Sequence, residues 1–138
     1  MNSRRRVSAA LLGLLALVVG VWLGQRVLSD ENHPPGAPAV AQESGLPVRA
    51  LSELPPQTAQ VWRLIQHGGP FRYQQDGREF ENREGLLPER PDGFYHEYTV
   101  PTPGQQGRGD RRLVTGDGGA LYYTADDYAS VVVVDPRR

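Results

Sequence analysis

The sequence predicts an α+β domain in which one N-terminal helix packs on a twisted antiparallel β-sheet, preceded by a hydrophobic N-terminal helix and a linker. Two observations favour this class. Residues 57–67 carry the one convincing helical pattern after the apolar N-terminus, and the segments that follow are short runs of period two separated by turn residues. One helix followed by a run of strands is typical of α+β domains with the helix on one sheet face.

The first 23 residues are predicted to precede the folded domain. Residues 1–6 include three consecutive arginines, and residues 7–23 contain no charged side chain. This is the layout of a signal peptide or of an N-terminal membrane anchor. No small-x-small cleavage triplet directly follows the apolar run, which favours an uncleaved anchor, and the positive-inside rule places the remaining chain outside the cell. We therefore expect an exported domain, either secreted or attached to the cytoplasmic membrane.

Residues 24–47 hold four prolines among glycine, alanine, serine and acidic residues, without apolar periodicity. This composition predicts a partly extended, coil-like linker. The folded domain is therefore predicted to occupy residues 48–138.

The elements of this domain follow from its turn residues. Pro55 and Pro56 suit the first turn of the helix at 57–67, and Gly68-Gly69-Pro70 ends it. Its apolar stripe of Val61, Leu64 and Ile65 is expected to face the sheet. Strands are predicted at residues 71–73, 78–80, 94–100, 111–115, 121–124 and 130–134. The last is a β-branched run suited to a buried central strand or to a closing edge.

Composition limits the class of function. The chain has no cysteine, so no disulfide stabilises an exported domain. All fifteen cationic residues are arginine and the net charge is −1, whereas a general nucleic-acid-binding surface is typically basic. Any bound phosphate is then expected at a local arginine cluster. Neither a metal-ligand spacing of Cys and His nor a glycine-rich phosphate loop is present, so no metal site or cofactor is predicted.

Candidate catalytic groups lie on neighbouring segments. Because side chains alternate across a strand, Glu97 shares one face with Tyr95 and Thr99. A carboxylate among aromatic residues is costly unless it is paired or used. Arg108 and Arg112 could pair with it, or could hold a phosphate while Glu97 accepts a proton. A Glu–Arg pair across strands is often structural, so these residues alone leave both roles open.

Motifs in residues 51–138 carry a resemblance to a known family. They are Leu54-Pro55-Pro56, Gly69-Pro70-Phe71, Gln75-Asp76-Gly77, Asn82-Arg83-Glu84, Leu87-Pro88, Tyr95-His96-Glu97-Tyr98-Thr99-Val100, Arg108-Gly109, Arg111-Arg112 and Tyr122-Tyr123-Thr124. With these motifs in order and at similar spacing, the sequence resembles the small secreted guanyl-specific ribonucleases of actinomycetes, relatives of barnase. The resemblance implies the microbial ribonuclease fold.

The resemblance also implies metal-free cleavage of single-stranded RNA after guanosine, through a 2′,3′-cyclic phosphate. It makes Glu97 the base that takes the 2′-hydroxyl proton, and Arg108 and Arg112 the ligands of the scissile phosphate, which Tyr128 touches. A turn would read guanine, with backbone amides at O6 and the Glu84 carboxylate at N1 and N2. That turn comprises Phe80, Glu81, Asn82, Arg83 and Glu84.

Two departures from the family pattern bear on function. The paired cysteines are missing near Ala50 and Arg138, which forgoes on the order of 4 kcal/mol in the chain-entropy model. Asp127 stands where the family has its general-acid histidine. An aspartate is ordinarily ionised near pH 7 and then donates a proton poorly, and loss of a general acid typically costs about 10²–10⁴-fold in rate. His96 is predicted to face away from Glu97, and His67 to cap its helix.

Three hypotheses remain open. The first is a weak or acid-shifted guanyl ribonuclease, with Glu97 as base and protonated Asp127 as acid. The second is a module that binds guanine nucleotides, RNA or a barstar-like protein inhibitor with little turnover. The third is an anchored surface module whose likeness to ribonucleases is incidental. We expect a monomer whose partners are guanosine-containing RNA and, through the N-terminal segment, a membrane.

Overall fold

A computed structural model describes residues 36–138. The predicted signal peptide or anchor at 1–23 and the first part of the predicted linker lie outside the described residues. No helix in the described range has the length and apolar character needed to cross a membrane.

The described chain forms an α+β fold around one six-stranded mixed sheet, whose strands follow the order β1-β6-β5-β4-β3-β2. The elements are α1 (Ala37–Ser44), β1 (Val48–Ala50), a short 3₁₀ turn (Leu51–Glu53), α2 (Pro56–His67), β2 (Arg78–Glu79), β3 (Tyr95–Thr99), β4 (Arg112–Gly116), β5 (Ala120–Thr124) and β6 (Val132–Asp135).

Helix α2 confirms the helix predicted from the amphipathic pattern. A proline opens its first turn, and Gly68 ends it with a left-handed φ of 78° and a backbone N–H bonded to Leu64 and Ile65 carbonyls. Val61 is buried in a core cluster with Leu113, Leu121 and Val134 of the sheet. Leu64, predicted in the same apolar stripe, is instead 37% exposed.

The antiparallel prediction is correct for β2 to β6 and wrong for β1. β3, β4 and β5 form a meander in which Glu97 is paired with Val114, and β5 is antiparallel to β6. β1 runs parallel to β6, with Val48 opposite Val133. Parallel pairing requires a long connection, and here nearly the whole domain lies between the two strands. β6 is therefore a central strand, and Val133 and Val134 are buried.

Residues 71–73 are predicted as a strand, and this prediction is wrong. Residues 72–77 form bends and turns instead. The reason is Asp76, whose carboxylate accepts hydrogen bonds from the backbone N–H groups of Tyr73 at 3.2 Å and Thr99 at 2.7 Å. An aspartate that bonds nearby backbone favours a turn over a ladder.

The coil-like linker predicted at 24–47 is wrong for its C-terminal part, which forms α1. Pro38 lies in the first turn, and Gly45, with φ of 69°, closes the helix by donating to the Ala41 carbonyl. Ala37 and Val40 are buried in a second core cluster with Tyr95, Leu87, Val114, Ala120, Tyr122 and Val133. Because neighbours along a strand face opposite sides, this cluster and the one around α2 lie on opposite faces of the sheet. α1 therefore packs on the face that carries Tyr95 and Glu97.

Candidate active site

Glu97 lies at the centre of β3, in the middle of the sheet face that α1 partly covers. Its neighbours are Arg78 on β2 and Val114 on β4. Its carboxylate has two different partners. Oε2 accepts a 2.7 Å hydrogen bond from the Tyr128 hydroxyl, and Oε1 lies 3.7 Å from Nη2 of Arg108. The side chain is 21% exposed, so the carboxylate is oriented by the protein yet remains accessible.

The Arg108 guanidinium is hydrogen-bonded through its Nε, whereas its Nη2 makes only the longer ion pair with Glu97. Its Nε donates a 3.0 Å hydrogen bond to the Thr99 hydroxyl. Its Nη2 is buried and makes no hydrogen bond to any described residue. A buried cationic nitrogen without an acceptor is costly, and an anion beside Glu97 would supply that acceptor.

Arg112 is predicted as a second phosphate ligand, and one of its guanidinium nitrogens is bonded to the protein backbone. The residue is only 7% exposed, and its Nη1 donates to the carbonyls of Gly109 and Arg111, both at 2.8 Å. The guanidinium therefore supports the backbone that precedes β4. Its charge still reaches the site, since it acts to lower the pKa of Tyr128 against stronger opposing effects.

Tyr128 joins two parts of the site. Its ring stacks on Phe80 with centroids 4.8 Å apart, and its hydroxyl reaches Glu97. Burial is the main cause that raises the pKa of Tyr128, and the hydrogen bond to the Glu97 carboxylate adds to it. The hydroxyl therefore remains protonated at neutral pH and acts as the donor in this pair.

The predicted base-reading turn at 80–84 is shaped by Asn82. Asn82 has a positive φ of 51°, and its side-chain amide bonds both backbone groups of Leu87, donating to O at 2.8 Å and accepting from N at 3.0 Å. The backbone N–H groups of residues 81–84 donate to no other described residue. Arg83 forms an ion pair with Glu81 at the surface, while the Glu84 side chain is exposed.

One cavity of about 400 Å³ connects this turn to the catalytic candidates. It is lined by all five turn residues, by Glu97, Asp127 and Tyr128, and by Glu79 and Leu86. A volume of this size suits a small organic ligand. Arg108 is not among the lining residues. Its Nη2 lies 3.7 Å from Oε1 of Glu97, which does line the cavity.

Asp127 lines the opening of this cavity together with the turn at 80–84, although the two are far apart in the sequence. It is exposed, with a positive φ of 50°, and its backbone N–H donates to the Asp110 carbonyl at 3.0 Å. The loop that carries it is built by Asp126, whose carboxylate accepts from the backbone and hydroxyl of Ser130. These hydrogen bonds lower the pKa of Asp126.

Comparison with known proteins identifies the family and the fold. A family model described as ribonuclease matches residues 37–135. The chain belongs to the ribonuclease family. The match begins at α1, so the family region extends further towards the N-terminus than the predicted start of the domain at residue 48.

Individual relatives of this ribonuclease agree with that assignment. The chain is 52% identical over 87 residues to guanyl-specific ribonuclease St of Saccharopolyspora erythraea, covering 63% of this chain and 86% of the relative. It is 50% identical over 86 residues to guanyl-specific ribonuclease Sa of Kitasatospora aureofaciens, covering 62% and 90%. Among solved structures, ribonuclease Sa2 in complex with mononucleotides superposes with a TM-score of 0.66 at 45% identity, covering 67% of this chain and 97% of Sa2.

Sequence reasoning missed two residues that organise the site. Thr99 orients Arg108 through its hydroxyl, and its position two residues after Glu97 in a strand was a usable signal. Asp126 builds the loop that presents Asp127 and Tyr128, and the spacing to Ser130 is the corresponding clue. His67 bonds the Arg63 carbonyl within its own helix, and residues 36–138 contain no group of three or more His, Cys, Asp or Glu side chains placed to hold a metal ion.

Proposed function

We propose that this protein is an exported endoribonuclease that cleaves single-stranded RNA after guanosine through a 2′,3′-cyclic phosphate, without a metal ion or cofactor. The observation that carries the proposal is the single cavity lined by Glu97, Tyr128 and the turn at 80–84. Two relatives are named guanyl-specific ribonucleases, and ribonuclease Sa2 has been solved with guanosine-2′-cyclophosphate. Both facts support guanine as the base that is read.

Base selection is proposed to rest on the turn at 80–84. Guanine presents one acceptor, O6, beside two donors, N1–H and the N2 amino group. The unbonded N–H groups of residues 81–84 offer donors to O6, and the exposed carboxylate of Glu84 offers an acceptor to N1 and N2. Adenine would set its amino donor against those N–H groups, leaving polar groups unpaired, which is the costly kind of mismatch.

Chemistry is proposed to start at Glu97. Its carboxylate accepts the proton of the ribose 2′-hydroxyl, and the 2′-oxygen attacks phosphorus. The bond from phosphorus to the 5′-oxygen of the next nucleoside breaks, which yields the cyclic phosphate and an alkoxide that must gain a proton. Nη2 of Arg108 lies 3.7 Å from Glu97 Oε1 and makes no hydrogen bond; we propose that it holds a phosphate oxygen and offsets charge in the pentacoordinate transition state. Arg112 is proposed as the second phosphate ligand, through the part of its guanidinium that the Gly109 and Arg111 carbonyls do not engage.

Protonation of the leaving oxygen is proposed to fall to Asp127, the cavity residue next to Tyr128. A carboxyl group is a less effective proton donor at neutral pH than an imidazolium, so turnover should be slow at pH 7 and should rise as the pH falls. Relative to a histidine at this position, we expect a rate about 10²–10⁴-fold lower at pH 7.

The second candidate function is binding without efficient turnover, and Asp127 is the observation that favours it. A site with the base, the arginine and the guanine-reading turn but without an acid effective at neutral pH would still hold guanine nucleotides, RNA ends or a barstar-like protein inhibitor. In both cases we propose that the domain acts as a monomer outside the cell, secreted or held at the membrane by residues 1–23.

Cleavage of guanylyl-(3′,5′)-adenosine by the full chain between pH 4 and pH 8 tests both candidates. Activity that increases towards low pH and is lost in Glu97→Gln supports the ribonuclease. No activity at any pH, with cleavage gained by Asp127→His, supports the binding module. Asp117→His is the matched control, since Asp117 is exposed in the turn after β4 and outside the cavity lining. Silence of both the native chain and Asp127→His would refute the site assignment.

A further inference from the structure

We propose that helix α1 holds the guanine-reading turn, residues 80–84, in its binding geometry, so that Val40 and Glu43 are positioning residues for base selection. This inference rests on the proposed function, because it takes the turn to be the guanine site. Its support is a core cluster shared by α1 and Leu87, an ion pair from α1 to Arg90, and the hydrogen bonds between Leu87 and the turn.

The first link is the clamp between Asn82 and Leu87. The two hydrogen bonds between them, at 2.8 Å and 3.0 Å, join the turn to the segment that follows it. They hold Asn82 in a left-handed conformation that an L-residue seldom adopts without support. The geometry of the turn is therefore only as well defined as the position of Leu87.

The second link is the burial of Leu87 in a core cluster that α1 helps to form. Leu87 is 5% exposed and belongs to the same core cluster as Ala37 and Val40 of α1. The segment that carries Leu87, residues 85–94, has no helix or strand of its own, so it depends on side-chain packing for its position. Val40, at 4% exposure, is the largest α1 side chain in that cluster.

The third link is the ion pair between Glu43 of α1 and Arg90, three residues after Leu87. Arg90 also lies over the Phe94 ring, 5.4 Å from its centroid. Both partners of the ion pair are partly exposed, so the pair adds little to global stability. Its effect is local, because it ties the segment at 85–94 to α1 at a second point.

The core cluster that contains Val40 and Leu87 also supports Tyr128, the hydrogen-bond partner of Glu97. Phe80 and Tyr128, which stack on each other in the cavity, pack against the same cluster as Val40 and Leu87. α2 packs on the opposite face and takes no part in these contacts. A change in α1 is therefore expected to affect guanine binding, and an equal change in α2 is not.

The test compares Val40→Ala in α1 with Val61→Ala in α2 in the full chain. Both remove the same two methyl groups from a buried helical valine, at 4% and 7% exposure. The measured quantities are the affinities for guanosine 3′-monophosphate and adenosine 3′-monophosphate, the midpoint of thermal unfolding, and amide hydrogen exchange of residues 81–87. Glu43→Gln is the third variant, since it removes the ion pair and leaves the core intact.

We expect Val40→Ala to weaken guanosine 3′-monophosphate binding by roughly 3- to 30-fold, the range of coupling found for residues that act through others. Adenosine 3′-monophosphate, which engages the phosphate site, should bind as before, and exchange of residues 81–87 should accelerate. Glu43→Gln should show the same pattern to a smaller extent at an unchanged midpoint. Val61→Ala should lower the midpoint without changing the ratio of the two affinities.

Equal effects of the two valine variants on that ratio, or unchanged exchange at residues 81–87 in Val40→Ala, would overturn the inference and leave α1 with a purely structural role. Absence of guanosine binding in the native chain would refute the proposed function. Hydrogen exchange needs no ligand, so faster exchange confined to Val40→Ala would still support the positioning of the turn by α1.

Discussion

Replacing Tyr128 by phenylalanine removes one atom from the site and leaves its packing in place. The lost hydroxyl donates the 2.7 Å hydrogen bond to Glu97, whereas the ring remains able to stack on Phe80. Since burial and the bond to Glu97 raise the pKa of Tyr128, the hydroxyl is protonated in the native protein at pH 7. The variant therefore isolates the hydrogen bond between a tyrosine and a carboxylate.

The size of the effect follows from the charge and exposure of the pair. A hydrogen bond to a charged group contributes about 1.5–3 kcal/mol to stability. Glu97 retains 21% exposure, so water hydrates its carboxylate in the variant and we expect a loss of about 1–2 kcal/mol. For a domain of about 100 residues, this lowers the midpoint of thermal unfolding by roughly 4–16 °C.

A control variant with a neutral acceptor gives the test its direction. Thermal unfolding of both variants at pH 7, followed by circular dichroism, measures the loss. Tyr73→Phe is the matched control, because its hydroxyl donates to the neutral Gly107 carbonyl at 3.1 Å. Since a hydrogen bond to a neutral group contributes less than one to a charged group, a loss in Tyr128→Phe no larger than that of the control would refute the pairing.

Three further predictions concern specificity, alkaline stability and the missing disulfide. Glu84→Ala should abolish the preference for guanosine over adenosine in dinucleotide cleavage, while Glu89→Ala, exposed and outside the cavity lining, should retain it; retained preference in both would mean that Glu84 does not read the base. The folded-state pKa of Tyr128 lies above its ordinary value of 10.0, so stability should be complete below pH 10 and fall above it; denaturation at pH 8 to 11 checks this, and a flat profile would contradict it. The Ser52 N–H bonds the Arg138 carbonyl at 3.1 Å, so residues 50 and 138 lie near each other. A disulfide in the double variant Ala50→Cys, Arg138→Cys should therefore add on the order of 4 kcal/mol to the free energy of unfolding; equal stability with and without reductant would count against it.

The elements that the sequence predicts correctly are those whose packing is local. α2 has an amphipathic stripe and a glycine stop, and β4 and β5 form a hairpin joined by the three-residue turn at 117–119. Each of these patterns is complete within about a dozen residues, so it can be recognised from the local sequence.

α1 and β1 could not be predicted in the same way. The buried face of α1 consists of Ala37 and Val40, which is too little apolar surface to stand out between prolines and glycines. β1 is three residues long, and its partner β6 lies at the other end of the domain. Pairing at that separation is decided by the assembled sheet, and no local pattern encodes it.

The site residues divide in the same way, into those predicted from the local sequence and those positioned by long-range contacts. Strand alternation correctly placed Glu97 with Thr99 on one face, and the resemblance located the turn at 80–84. The contact between Glu97 and Tyr128 joins residues 31 apart and depends on a loop with two consecutive residues at positive φ. Arg112 was predicted to face the phosphate, but part of its guanidinium supports neighbouring carbonyls, a choice that only the loop conformation determines.

That loop is also expected to accept a histidine at position 127 without a change in the rest of the site. The position requires a positive φ of 50°, a conformation in which aspartate and histidine are both enriched among non-glycine residues. Its side chain is exposed, and the loop is held by Asp126 and Thr124 through hydrogen bonds that do not involve it. Asp127→His is therefore expected to change this side chain while the backbone, Tyr128 and Glu97 stay in place. Under the proposed function, a difference in cleavage between the native chain and Asp127→His would then report proton donation rather than folding.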